Sequence, residues 1–252
     1  MKVGIIGCGA ISTLIVNTLK NEENIKFTHF FDKNIEDAEK LAKITKGQAC
    51  NNYTEMLDKV DLILEAASQE LVKQIAPEIL KHTNLLNMSI GALMNKELLT
   101  QMIKTAKENN TNIYAPSGAI LGIDGIKSAC IGEIEQIKLT TRKSPLSLGI
   151  EKEKEETIFK GKASQAVQKY PKNMNIAATI SLAAKRDIDV EVIVDPKITQ
   201  NIHELNVKGS FGQFQVKTQN LPSKDNPKTS ELAALAAIEK LKSLNQELHI
   251  GN

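Results

Sequence analysis

Apolar runs of strand length alternate with amphipathic runs of helix length through the first half of the chain. KVGIIG (2–7), IKFTHFFD (25–32), DLILEAAS (61–68), NLLNMSIG (84–91) and NIYAP (112–116) are short, mostly apolar and without clean alternation, the pattern of strands buried on both faces. Between them NIEDAEKLAKIT (34–45), QELVKQIAPEILKH (69–82) and NKELLTQMIKTAKENN (95–110) place apolar residues three and four apart with charges opposite, as helices covering a sheet do. This alternation predicts an α/β fold with a doubly wound parallel sheet of Rossmann type. After residue 133 the period changes. IEQIKLTTRKS (134–144), DVEVIVDP (189–196), NIHELNVKG (201–209) and FGQFQVKTQ (211–219) are longer and alternate in places. Val190, Val192 and Val194 fall on one face with Glu191 and Asp195 on the other, which predicts a second α+β domain with a mostly antiparallel sheet covered on one side. KTSELAALAAIEKLKSL (228–244), after Pro227, predicts a long amphipathic helix. The expected organisation is a dinucleotide-binding domain over 1–117, a substrate and catalytic domain over 118–225, and a C-terminal helical segment over 226–252 that packs back on the first domain.

The turn after the first strand, GCGAIS (7–12), carries most of a dinucleotide-binding fingerprint, with Ser12 where a third small residue is usual. It lies between a strand and a helix, where backbone amides and the positive helix end can hold a pyrophosphate. The third glycine of that fingerprint serves helix–strand packing rather than phosphate contact. Ser12 therefore reads as a mild packing penalty, while Gly7, Gly9 and Ala10 keep the phosphate-facing positions. Asp32 closes the second strand, where a carboxylate accepts from the adenosine ribose hydroxyls and repels a 2′-phosphate. That favours NAD over NADP, and the neighbouring Lys33 weakens the preference. The competing reading makes the glycines a plain tight turn and Asp32 a helix cap.

Composition narrows the partners. The 252 residues are 41% hydrophobic and 25% charged, an ordinary globular balance, and 32 basic residues against 30 acidic give a net charge of +2. No electrostatic footprint for nucleic acid or an anionic membrane results. Cys8, Cys50 and Cys130 are odd in number and far apart, which points away from a disulfide framework or zinc site and toward a reducing cytoplasm. No apolar run reaches membrane-spanning length.

Proton-moving groups are few. Of four histidines, His29 sits inside the second strand, His82 ends a helix, and His249 lies in the last four residues. His203 is the histidine of the second domain, and alternation places it with Leu205 and Val207 on the covered face. It is either buried for packing or lines a crevice as an acid–base group. Arg142 and Lys143 leave the strand at 134–144 together, and one of them could grip a substrate carboxylate; Arg142 is the candidate chosen. SGAI (117–120) reads as a helix start of small residues, and NMNIAATISLAA (173–184) as a helix opening on two asparagines.

Several blocks in order resemble the aspartate dehydrogenases of NAD biosynthesis: GCGAI (7–11), LEAAS (64–68), PSGAILGIDGI (116–126), YPKNMNIAATISLA (170–183), VDPKITQNIHEL (194–205) and NPKTSELAALAAIEKL (226–241). Together they span nearly the whole chain. The resemblance implies oxidation of L-aspartate by NAD or NADP to iminoaspartate, which is hydrolysed to oxaloacetate and ammonia or passed to quinolinate synthesis. It places the catalytic histidine on His203. It places cofactor contacts on Ala119 and on the pair Asn173 and Asn175, and its loop blocks bring in Ile11 and Ala67. Ser12 departs from the family, which usually carries glycine there. A metal is not required, since the cofactor takes the electrons. A homodimer is expected through the exposed sheet face. Two other readings fit parts of the pattern: an NAD(H)-binding redox sensor without catalysis, and an oxidoreductase like dihydrodipicolinate reductase, whose paired-histidine signature NIHEL lacks.

Overall fold

Buried on both faces, the apolar runs of the first half have nothing to alternate against, and they form the strands of a parallel sheet. In the computed structural model, which describes residues 1–171, 173–221 and 230–251, the order of elements is β1 (Lys2–Ile6), α1 (Ala10–Leu19), β2 (Lys26–Phe31), α2 (Ile35–Thr45), β3 (Gln48–Ala49), β4 (Leu62–Glu65), α3 (Gln69–Ile79), β5 (Asn84–Asn87), α4 (Lys96–Asn109) and β6 (Ile113–Tyr114). The six strands join as β3-β2-β1-β4-β5-β6, and each neighbouring pair is parallel. This order reverses direction beside β1, which places the crevice for a ligand outside the carboxyl end of that strand. Val3, Ile5, Ile6, Leu62, Ile63, Leu64, Leu85 and Leu86 are all buried at the centre, each contributing about 1.5–3 kcal/mol relative to exposure. Side-chain caps fix where helices begin: Ser68 accepts from the Leu71 amide at 3.2 Å and Asn95 from the Leu98 amide at 2.8 Å.

The second half continues with α5 (Ile123–Ala129), β7 (Ile134–Lys143), α6 (Pro145–Leu148), β8 (Glu156–Lys162), α7 (Ala163–Lys169), α8 (Asn175–Ala183), β9 (Asp189–Val194), β10 (Asn201–Gly209), β11 (Gly212–Asn220) and α9 (Glu231–Ser243). Its sheet runs β11-β10-β7-β9-β8, antiparallel throughout except for the parallel pair β7–β9. Val190, Val192, Val194, Leu205 and Val207 are buried while their alternating neighbours remain partly open, as the period of two requires. The chain divides into one unit of Met1–Pro116 with Ala234–His249 and another of Ser117–Ala233 with Ile250–Asn252. Within the first unit α9 is anchored by Lys240 over the Tyr114 ring at 5.1 Å and by a 3.1 Å ion pair between Lys242 and Glu22. The segment 222–229, including Pro227 and the start of the NPKTSELAALAAIEKL block, lies outside the described residues, as does Lys172.

Two strands went unread in the sequence, and one expectation changes. β3 is two residues long and gives no periodic signal. β8 grows out of the charged EKEKEE run, because an edge strand with one solvent face tolerates charges that would be excluded from a central one. SGAI does not open a helix. Gly118 and Gly122 adopt φ of +70° and +79°, so residues 117–122 turn, and α5 starts only at Ile123.

Candidate active site

In the first unit, the carboxyl ends of β1, β2 and β4 enclose a pocket of about 400 Å³ lined by Gly7, Gly9, Asp32, Ala66, Ala67 and Ser68 among others. The glycines are used differently. Gly7 has φ +91°, and a Cβ there would meet the backbone of Ala66 and Ala67 at 2.7 Å. Gly9 has an allowed backbone, and a Cβ there would enter space with no neighbour within 4 Å. That open space faces the start of α1, which has no side-chain cap and no acidic residue in its first turn. The amides of Ala10 and Ile11 at this end suit an anion. Ser12, expected to be a packing penalty, is corrected by the structure. It is fully buried and donates from Oγ to the Gly7 carbonyl at 2.5 Å, which ties the turn to the helix.

Asp32 Oδ2 accepts from the Cys8 amide at 2.7 Å and Oδ1 from the Asn34 amide at 2.9 Å. One carboxylate thus braces both the glycine turn and the next helix start, with further lone pairs left for a ribose. The Cys8 thiol is pushed up to about 12 by burial, with Asp32 adding to the effect, so it is not a nucleophile. Glu65 was missed by sequence reasoning. Its buried carboxyl accepts from the amides of Ala67 (2.8 Å), Ser68 (3.0 Å) and Ser89 (3.1 Å) and from the Ser89 hydroxyl (2.8 Å). Burial raises its pKa while these donors oppose the rise. It shapes the pocket wall that carries Ala67, and its only sequence signal is an acid closing the apolar strand DLILE.

In the second unit, His203 is 2% exposed and its Nδ1 lies 3.0 Å from Thr141 Oγ1 on the neighbouring strand. Burial, and then the charge of Lys143, push its pKa down to about 3, so the ring is neutral. Lys143 shares the covered face with Thr141 and is itself lowered to about 8 by burial. Its ammonium donates to Asn173 Oδ1 at 3.1 Å. Asn173 precedes α8, whereas Asn175 is the first residue of that helix. Ala119 is buried in the turn, and its carbonyl accepts from Asn220 Nδ2 at 2.8 Å. His203, Lys143, Thr141 and Asn173 therefore form one cluster.

Arg142, expected to hold a substrate carboxylate, is not part of it. Alternation turns it to the opposite face of the sheet from His203, where it pairs with Glu155 at 2.7 Å and Asp195 at 3.0 Å. Its Nη1 already serves two carboxylates. The remaining histidines also lie apart: His29 contacts Thr28 at 2.9 Å, and His82 pairs with Asp58 at 2.9 Å. Among the described residues no cluster of His, Cys, Asp or Glu could hold a metal, and no helix is long and apolar enough to cross a membrane.

Residues 124–244 match the family described as aspartate dehydrogenase, C-terminal, and residues 7–116 match the NAD-binding domain of homoserine dehydrogenase. The chain is 47% identical to an L-aspartate dehydrogenase of Methanothermobacter thermautotrophicus over 100% of its own length and 98% of that protein. It is 44% identical to the L-aspartate dehydrogenase of Methanosarcina mazei over 100% and 99%. The crystal structure of aspartate dehydrogenase from Thermotoga maritima superposes with a TM-score of 0.83 at 27% identity, covering 100% and 99% of the two chains. A myo-inositol dehydrogenase from Lactobacillus casei shares the fold alone, with a TM-score of 0.61 at 13% identity over 88% and 75%. On sequence and fold over its whole length, the chain belongs to the aspartate dehydrogenase family.

Proposed function

We propose that this protein oxidises L-aspartate to iminoaspartate with NAD, and with NADP as a weaker alternative. The observation that carries the reading is His203, a neutral imidazole buried beside Thr141 and Lys143 in a chain whose entire length aligns with aspartate dehydrogenases. A sensor that only bound the dinucleotide would have no use for such a ring. Gly7, Gly9, Ala10 and Ile11 would hold the pyrophosphate and Asp32 the adenosine ribose, with Ala67 bordering the pocket. Ala119, Asn173 and Asn175 would contact the nicotinamide half. When bound, the cofactor supplies the oxidant by accepting a hydride from the substrate α-carbon.

His203 acts on protons. With Nδ1–H donating to the Thr141 hydroxyl, Nε2 presents its lone pair and can accept a proton from a water that attacks the imine carbon. The hydrated adduct then releases ammonia and leaves oxaloacetate. In the direction of amination the same atom returns the proton. Such help is worth about a hundredfold to ten-thousandfold. Released intact, the imine is a substrate for quinolinate formation, and we include that coupling in the proposal. Three free cysteines support a reducing, cytoplasmic setting. The half-open face that carries Arg142, Glu191 and Glu204 supports a homodimer through that sheet.

The test is initial NADH formation with several amino acids at equal, subsaturating concentration. L-alanine and L-asparagine should be oxidised about tenfold to a hundredfold less efficiently than L-aspartate, because each removes an anion and leaves buried donors unpaired. L-glutamate should be poor as well, since one methylene displaces its distal carboxylate. Alanine or glutamate matching aspartate would replace this reading with a broader amino-acid dehydrogenase.

A further inference from the structure

The covered face of the mixed sheet changes character along its length. At one end Ile137, Leu139, Leu205 and Val207 are buried, an ordinary apolar core. At the other end six polar residues are buried in two rows: Thr141, His203 and Thr218 lie at matching register positions across β7, β10 and β11, and Lys143, Asn201 and Asn220 form the next row. Polar groups taken out of water are unfavourable unless paired. Most of these are paired. Thr141 meets His203, Asn201 Oδ1 accepts from Ser147 Oγ at 3.3 Å, and Asn220 donates to Ala119.

Two are left incomplete. The Thr218 hydroxyl is buried without a hydrogen-bond partner among the described residues. Lys143, only 5% exposed, donates one of its three N–H groups to Asn173. Among the described residues no carboxylate lies within ion-pair distance of its ammonium, whereas Arg142, one residue earlier on the opposite face, has two. A buried cation without a counter-ion destabilises the free protein, and an arriving anion relieves it.

We propose that the Lys143 ammonium is the seat of a substrate carboxylate, at the polar end of the sheet that Thr218 also lines. The inference deepens the aspartate reading and rests on it for the identity of the anion. It has a consequence for His203. The groups facing the ring from neighbouring strands are Thr141 and Lys143 on β7 and Thr218 on β11, and the Lys143 charge is what adds to burial in suppressing its basicity. A carboxylate on Lys143 cancels that charge. The imidazole therefore becomes more basic once substrate is in place, while burial, the larger cause, continues to hold it down.

Thermal unfolding of the full chain, with and without succinate at constant ionic strength, reads the seat independently of turnover. Wild type should gain stability with succinate. Lys143→Met should unfold at a higher temperature than wild type without ligand and lose the succinate shift, and Lys143→Gln, measured in parallel, should lose the shift as well. A lysine with a merely structural role would give the opposite change in the ligand-free protein. Kinetically, both variants should raise KM for L-aspartate by about a hundredfold, with kcat falling less and NAD affinity changing only a few fold through Asn173. With L-alanine as the comparison, a loss confined to aspartate assigns Lys143 to the side-chain carboxylate, and an equal loss assigns it to the α-carboxylate. Variants that keep the succinate shift and a wild-type KM, while wild type oxidises aspartate, overturn the seat and leave the aspartate reading intact. A Lys143-dependent succinate shift in a protein that oxidises no aspartate keeps the seat and overturns the reading.

Discussion

His203→Ala is expected to lower kcat for aspartate oxidation by about a hundredfold or more, with NAD affinity within a few fold of wild type. The ring sits in the second unit, bonded to Thr141, while the glycine turn and Asp32 belong to the first. Its loss therefore removes proton transfer and leaves the glycine turn and Asp32 intact, and the lower end of the general acid–base range sets the magnitude. The variant should also show altered acid stability. The folded pKa is depressed to about 3 from 6.5, so the unfolded chain binds more protons across that window. Stability contributed by the neutral ring is present above pH 6.5 and lost as pH falls toward 3, by up to about 1.4 kcal/mol per pH unit. Without the imidazole that part of the acid loss disappears. Unchanged turnover, measured by steady-state NADH formation, would remove His203 from the mechanism.

The two glycines of the turn should separate stability from affinity. Gly7→Ala forces a side chain into φ +91° and against the Ala66–Ala67 backbone at 2.7 Å. The dihedral strain alone costs about 1–3 kcal/mol, and the contact with main chain rather than a flexible side-chain tip adds to it. For a chain of this size each kcal/mol lowers Tm by about 2–4 °C, so a fall of several degrees is expected. Gly9→Ala has no such conflict, since nothing lies within 4 Å of the added carbon, and its stability should stay within about 1 kcal/mol of wild type. The methyl instead occupies the space where the pyrophosphate approaches α1, and NAD affinity should fall at least about tenfold. Differential scanning calorimetry and cofactor titration read the two effects. Equal Tm for the two variants would show that Gly7 carries no special constraint.

How much of this was legible in the residues depends on whether each feature is written in local periodicity. The parallel strands were legible because burial on both faces leaves an apolar run, and the position of His203 because Leu205 and Val207 alternate with it. Asp32 was legible from the strand it closes. Features set by pairing across the sheet were not. Lys143 and Arg142 are adjacent, and which one joins His203 depends on the register of β7 with β10, in which Thr141 stands opposite the histidine. Sequence reasoning favoured the guanidinium for its fork; the register turns it to Glu155 and Asp195. Ser12 looked like a defect because its Gly7 partner lies across the turn it closes. Glu65 and Ser89 meet only when β4 and β5 lie side by side. SGAI misled because a run of small residues suits a helix start and a turn equally until the φ of Gly118 is known.

Isotopic labelling follows the hydride that this chain moves from the α-carbon of L-aspartate to the nicotinamide. L-aspartate deuterated at C2, incubated with NAD and the purified protein, tests this transfer in one step through the mass of the reduced cofactor. The NADH formed should carry the deuterium, with oxaloacetate and ammonia appearing in equal amounts. Reduced cofactor without the label, or no reduction in the presence of aspartate, would contradict it.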